Sequence, residues 1–235
     1  MFLPFGMFYD PTFIFVLIGL AISGIASSYV QSTFNKYSKV NNQLDYTASE
    51  VARVVLNQAG LSDVAIEQVR GNLTDHYDPK NKVLRLSDST AQSRSVAAIG
   101  VAAHEAGHAM QDRDGYLLMR LRTALVPITN FGQSLAFPIL LLGMFFGPNQ
   151  TMINIGLVLF SFAFIFQMVT LPVEFNASNR AMKTLESEHL LNAQELPMAG
   201  NVLKAAAFTY VAGAIASFLN VLRLFLLFGG NSRRD

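Results

Sequence analysis

The sequence predicts a mainly α-helical membrane protein, with about four transmembrane helices and a small α+β module between the first two. Three observations lead there. Of 235 residues, 51% are hydrophobic and 14% charged, whereas an ordinary soluble domain carries roughly 25% charged residues. Four apolar stretches are each long enough to cross a hydrocarbon core of about 30 Å, which takes about 20 helical residues. Between the first two, the hydrophobic pattern changes to the periods of an amphipathic helix and short strands.

Residues 1–30 read as a membrane anchor. Their apolar stretch, 12–30, follows Asp10-Pro11 and has neither a basic leader nor a small-residue cleavage site, so it is expected to be retained. Residues 31–123 form the polar module. Within it, 45–59 reads as an amphipathic helix closed by Gly60. Residues 64–69 read as a strand, Gly71-Asn72 as a turn, and 83–86 as a second strand after the turn Asp78-Pro79-Lys80-Asn81. Ser93 or Ser95 can cap an Ala-rich helix running to about Asp112.

Residues 124–172 read as a transmembrane hairpin, with spans 124–146 and 152–172 joined at Gly147-Pro148-Asn149. The short connection requires the two spans to be antiparallel. Residues 173–204 are a second polar, helical segment, and 205–235 hold the fourth span, 205–228, with a short tail. Arg223 lies inside that span, where it must pair or snorkel. Gly213 and Ser217 suit close helix packing.

Fourteen of the seventeen lysines and arginines fall in segments 31–123 and 173–204. The positive-inside rule therefore predicts that both polar segments are cytoplasmic and both termini outside, in a multi-pass plasma membrane protein of bacterial type. Arg233 and Arg234 oppose this only slightly. A net charge of +1 offers no basic stripe for nucleic acid. With no cysteine, any metal must be held by His, Asp or Glu.

Two of the four histidines fall in one H-E-x-x-H motif, His104, Glu105 and His108, inside the Ala-rich helix. Positions i and i+4 stand about 40° apart on a helix, so both imidazoles can reach one zinc ion. Glu105 lies beside them, placed to take a proton from water. A catalytic zinc ordinarily has three protein ligands. Glu174 is the foremost third candidate: it emerges where the third span returns to the side of the motif, and helical, Ala-rich sequence follows it. Asp75, Asp78 and His189 stand in reserve.

Four segments together resemble the YugP-type bacterial membrane neutral zinc metallopeptidases: Asp75-His76-Tyr77-Asp78, Val-Ala-Ala-His-Glu-Ala-Gly-His-Ala at 101–109, Leu-Pro-Val-Glu-Phe-Asn-Ala-Ser at 171–178, and Thr209-Tyr210-Val211-Ala212. The resemblance runs through nearly the whole chain. That group is distantly similar to the CAAX-prenyl and heat-shock membrane proteases of the gluzincin class, in which a third-ligand Glu is followed four residues later by an Asp. The resemblance implies a zincin-like catalytic module holding one Zn2+ through His104, His108 and Glu174, with Glu105 as catalytic base. Ser178 stands where the Asp would be.

The expected activity is zinc-dependent endopeptidase cleavage of peptide bonds at the cytoplasmic membrane surface. The expected partners are protein or peptide substrates, membrane proteins among them, the lipid bilayer, and a second copy or a partner membrane protein, with no nucleic acid. His76, Tyr77, Arg180, His189 and Tyr210 are candidates to contact the substrate or stabilise the oxyanion, His76 and Tyr210 before the others. The edge of strand 83–86 could pair with an extended peptide. Gly107 lowers helix propensity and suggests close approach of another backbone or of substrate. Two other readings compete: a zinc-stabilised membrane scaffold or assembly factor without turnover, and a site-2-type intramembrane protease with the motif inside a span.

Overall fold

The structure, a computed structural model, describes residues 10–145 and 149–228. It is mainly helical with one small sheet, the class the sequence predicts. In chain order the elements are α1 (Phe13–Tyr37), α2 (Ala48–Gln58), β1 (Ala65–Val69), β2 (His76–Asp78), β3 (Val83–Ser87), α3 (Val96–Arg113), α4 (Leu117–Phe145), α5 (Gln150–Ser187) and α6 (Glu195–Phe228). Among the described residues, α1, α4, α5 and α6 are long and apolar enough to cross a membrane. Gly147, Pro148, Arg233 and Arg234 lie outside the described residues.

The chain forms two compact units. One comprises residues up to Ser27, Leu121–Leu171 and the chain from Thr209; the other comprises Ser28–Arg120 and Pro172–Phe208. The first is a set of apolar helices packed through small residues. Gly19 approaches Ala216 so closely that a Cβ there would sit 3.3 Å from its Cα, and a Cβ on Gly156 would meet Leu140 Cγ at 2.6 Å. Gly213 lies against the Gln167 side chain, so this small residue is used within the chain. Arg223 meets its requirement by pairing: Nη2 lies 2.8 Å from Asp10 Oδ2, and the guanidinium stacks over the Phe13 ring.

The second unit holds the sheet, α2, α3 and the polar parts of α5 and α6. Helix α2 buries Ala48, Val51, Ala52, Val55 and Leu56, the i, i+3, i+4, i+7, i+8 pattern of a one-sided helix. Thr47 and Glu50 close its start as a reciprocal capping box. Gly60, at φ +69°, ends it: Gly60 N–H donates to Asn57 and Leu61 N–H to Leu56, the two hydrogen bonds of a Schellman motif. A second reciprocal box, Asn192 with Glu195, starts α6, and the other Glu195 oxygen accepts from Gln43 N–H at 2.7 Å.

The sheet order is β1-β3-β2. Strand β3 pairs parallel with β1, from Ala65↔Val83 to Val69↔Ser87, and antiparallel with β2, with Tyr77 opposite Leu84. This corrects the expectation that strand 83–86 offers an open edge. Both edges of β3 are taken, which is why Val83, Leu84, Leu86 and Ser87 are all buried. The free edges belong to β1 and β2, and β2 escapes sequence reading because it is only three residues long, His-Tyr-Asp.

Helix α3 starts at Ser95, whose side chain accepts from Ala98 N–H. Fourteen of its eighteen residues are buried, so it is surrounded by protein on most faces, which accounts for its alanines and glycines. Helix α5 runs through Pro172 without stopping and ends at Ser187. A proline inside a helix leaves one carbonyl without its usual amide; here the helix nevertheless carries Glu174, Asn176, Ala177 and Ser178 into the second unit.

Candidate metal centre

Within the second unit, α3 and α5 meet at residues 104 with 174 and 178, 107 with 177, and 111 with 173. One numbering rises as the other falls, so the helices are antiparallel where they touch. Gly107 makes the approach possible. A Cβ at that position would lie 2.5 Å from the Ala177 carbonyl oxygen, closer than any ordinary contact. The other backbone that Gly107 admits is therefore α5.

This contact brings His104, His108 and Glu174 together, with one donor atom of each within 4.8 Å of the others. Glu174 Oε2 lies 3.2 Å from His104 Nε2 and 3.6 Å from His108 Nε2. Ligands about 2.1 Å from a tetrahedral zinc ion are separated by about 3.4 Å, so these two distances suit such an ion. The donor set, two imidazoles and a carboxylate, suits zinc as well. The imidazole rings stand edge to face at 84°, with centroids 4.8 Å apart, and both present Nε2 to the carboxylate. Their other nitrogens are held from behind: His104 Nδ1 lies 3.1 Å from Ser178 Oγ, and His108 Nδ1 lies 3.0 Å from Gln111 Oε1.

Glu105 lies beside the cluster, on α3, with Oε2 accepting from the backbone N–H of Tyr77 at 3.0 Å. Burial raises the Glu105 pKa above the ordinary carboxylate value, against the pull of the two neighbouring histidines. Burial also works to lower the His108 pKa, but Glu174, Glu105 and Gln111 outweigh it and the net shift is upward. Tyr77 fastens β2 to α3 a second time, two helical turns on, where its hydroxyl donates to Asp112 at 2.9 Å.

The other candidates have surroundings of their own. His76 is exposed, with Nδ1 against the Thr74 carbonyl. Arg180 is tied to Asn176 and Asp114. Tyr210 is half-buried on α6 in the unit of apolar helices. Of the ligands held in reserve, Asp75 accepts from Ser87 and Thr90. Asp78 is paired with Arg85 and Asn81, and these bonds hold its carboxyl below the usual range. His189 is exposed and takes φ +52° at the end of α5, so its position closes a helix and does not join the cluster. Sequence reading overlooked Gln111 and Asn176. Gln111 carried one signal: a glutamine three residues after His108, on the same face of an otherwise apolar helix.

A family model described as "Putative neutral zinc metallopeptidase" matches residues 12–229. The chain is also 45% identical over 217 residues, 92% of this chain and 96% of the relative, to "Putative membrane protease YugP" of Bacillus subtilis (strain 168). No solved structure matches.

Proposed function

The chain belongs to this family of membrane neutral zinc metallopeptidases, and on that premise we propose that it is a zinc-dependent endopeptidase acting at the cytoplasmic membrane surface. The observation that carries the proposal is the convergence of His104, His108 and Glu174 with Glu105 beside them. The three converging side chains would hold one zinc ion, which when bound supplies a Lewis acid that polarises a carbonyl and makes water more acidic. Glu105 is the base. Its Oε2 is engaged by Tyr77 N–H, leaving Oε1 to take the proton from the attacking water and hand it to the departing amine.

The backbone of Tyr77 belongs to β2, an edge strand whose middle residue touches the base. An extended peptide added along this edge would bring its carbonyl groups past Glu105, with affinity from main-chain pairing and little demand on side chains. The lysine and arginine bias supports a cytoplasmic location for this side. The intramembrane alternative has no support from α3, which is not among the four helices apolar enough to cross a bilayer.

The Glu105→Gln variant tests the mechanism in purified, full-length protein. Zinc content should stay at the wild-type level while the rate of peptide hydrolysis falls by about 10²- to 10⁴-fold. Hydrolysis within threefold of wild type would remove Glu105 as the base. The absence of cysteine makes orientation equally testable. A lone cysteine at the exposed position Lys80 should be labelled by an impermeant reagent in inverted vesicles and protected in intact cells.

A further inference from the structure

Beyond the three converging side chains, a line of polar groups runs from His108 across the α3–α5 contact and ends on a guanidinium. His108 Nδ1 meets Gln111 Oε1 at 3.0 Å. Gln111 Nε2 donates to the Val173 carbonyl at 2.8 Å and to Asn176 Oδ1 at 3.0 Å. Asn176 Oδ1 also accepts from Arg180 Nε at 2.8 Å, and Arg180 Nη1 donates to Asp114. Gln111 is fully buried, so the orientation of its amide cannot be settled by solvent.

The line has a direction. Arginine can only donate, so the Asn176 atom facing it is the oxygen. A backbone carbonyl can only accept, so the Gln111 atom facing Val173 is the NH2 group. Both constraints turn the Gln111 oxygen toward His108, which must then carry its proton on Nδ1. The lone pair of the neutral ring is left on Nε2, the atom that faces Glu174. His104 is held differently. The Ser178 hydroxyl can give or receive a hydrogen bond, so it positions the ring without choosing the tautomer.

We propose that Gln111, oriented by Val173, Asn176 and Arg180, is a positioning residue that locks His108 in the Nδ1–H tautomer and so presets its Nε2 for the metal. The inference rests on the reading of His104, His108 and Glu174 as the zinc site. Gln111 is also a plain tie between two helices, and the two roles separate in a pair of variants. Gln111→Met and Gln111→Glu both lose the amide donor to Val173 and Asn176. Only Gln111→Glu keeps an oxygen for the Nδ1 proton.

The readout is zinc affinity of the full-length protein in detergent, measured by competition with a chromophoric chelator. Gln111→Met should lose about 10- to 100-fold in affinity, the usual effect of removing a partner behind a ligand, while Gln111→Glu should stay within a few-fold of wild type. Equal losses in both variants, or none in Gln111→Met, would overturn the proposal. A second measurement needs no variant. The chain has four histidines, so a ¹⁵N-histidine spectrum of the zinc-loaded wild type can be assigned. It should show His108 protonated at Nδ1, and zinc coordination through Nδ1 would overturn the proposal independently. If His104→Ala and Glu174→Ala leave wild-type zinc binding untouched, the site reading itself has failed. If they abolish binding and the Gln111 variants behave alike, only the role of Gln111 has.

Discussion

In the site-bearing unit the Glu174 carboxylate is buried between two imidazoles, on a helix whose backbone touches that of its neighbour at Gly107. In the unit of apolar helices the half-buried Asp10 carboxylate meets the buried Arg223 guanidinium, which lies over the Phe13 ring. Both arrangements take a carboxylate out of water, Glu174 fully and Asp10 in part, and full burial costs several kcal/mol unless partners compensate. They differ in what fixes the geometry. The donors of the first cluster are set by a backbone contact and held from behind by Ser178 and Gln111. In the second, Asp10 is held at the start of α1 by Thr12, whose N–H donates to Oδ1 at 2.8 Å, and its charge is met by the long, adjustable side chain of Arg223. A metal site needs ligand distances held to about 0.2 Å, and charge neutralisation in a span does not.

The contrast is broken most directly at Gly107. An alanine there must push its Cβ away from the Ala177 carbonyl oxygen 2.5 Å distant, and that oxygen belongs to a helix backbone. Reaching van der Waals distance requires the two helices to separate by roughly 1 Å. Overpacking of this kind costs about 1–3 kcal/mol, more than the roughly 1 kcal/mol gained when alanine replaces glycine in a helix. Glu174 moves with its helix, so Gly107→Ala should weaken zinc binding by about 10-fold or more, the scale of losing ligand support. Zinc affinity by chelator competition checks this. Unchanged affinity would mean that the backbone contact does not set the ligand spacing.

The pair in the other unit should behave as replaceable. Removing Arg223 leaves the half-buried Asp10 carboxylate with Thr12 alone among these partners, and Arg223→Met should cost about 1.5–3 kcal/mol, the scale of a hydrogen bond to a charged group. Replacing both, as Asp10→Asn with Arg223→Met, should recover most of that loss, because asparagine keeps an acceptor for Thr12 N–H while both charges are gone. Thermal unfolding in detergent, followed for the two single variants and the double, measures the recovery. A double variant no better than the worse single would show that the ionic geometry is itself required, erasing the contrast with the metal cluster.

The same difference explains what could be read in the sequence. The motif helix, its cap at Ser95 and the Gly60 stop are local signals, and local hydrogen bonds made them. Glu174 could be singled out because a carboxylate at the end of an apolar stretch is costly without a purpose. Arg223 announced its need for a partner by the same logic. Strand β2 was illegible: His76-Tyr77-Asp78 has no run of β-branched residues, and it exists through pairing with β3 and through Glu105 and Asp112 on α3. The central place of β3 was hidden for the same reason. Gln111 looked like an ordinary polar residue because its partners, Val173 and Asn176, are more than sixty residues away. The apolar span ends near Pro172 as a sequence pattern, and the helix continues past it as α5 because Val173, Ala181 and Leu185 pack in the core.

His189 gives the smallest and most specific test of what belongs to the cluster. Three helices of the site-bearing unit end in the same hydrogen-bond pattern, with Gly60, Gly115 and His189 at the left-handed position. At the last of these, His189 N–H donates to Glu186 and Leu190 N–H to Leu185, and Leu185 and Leu190 share the core as the motif's hydrophobic contact. A side chain in that conformation costs roughly 1–2 kcal/mol, part of which glycine would return through its freer unfolded chain. His189→Gly should therefore stabilise the protein by about 0.5–1 kcal/mol, raising Tm by roughly 2 °C, with zinc affinity unchanged. Weaker zinc binding in this variant would return His189 to the metal, and the rule that backbone contact between α3 and α5 selects the ligands would fail with it.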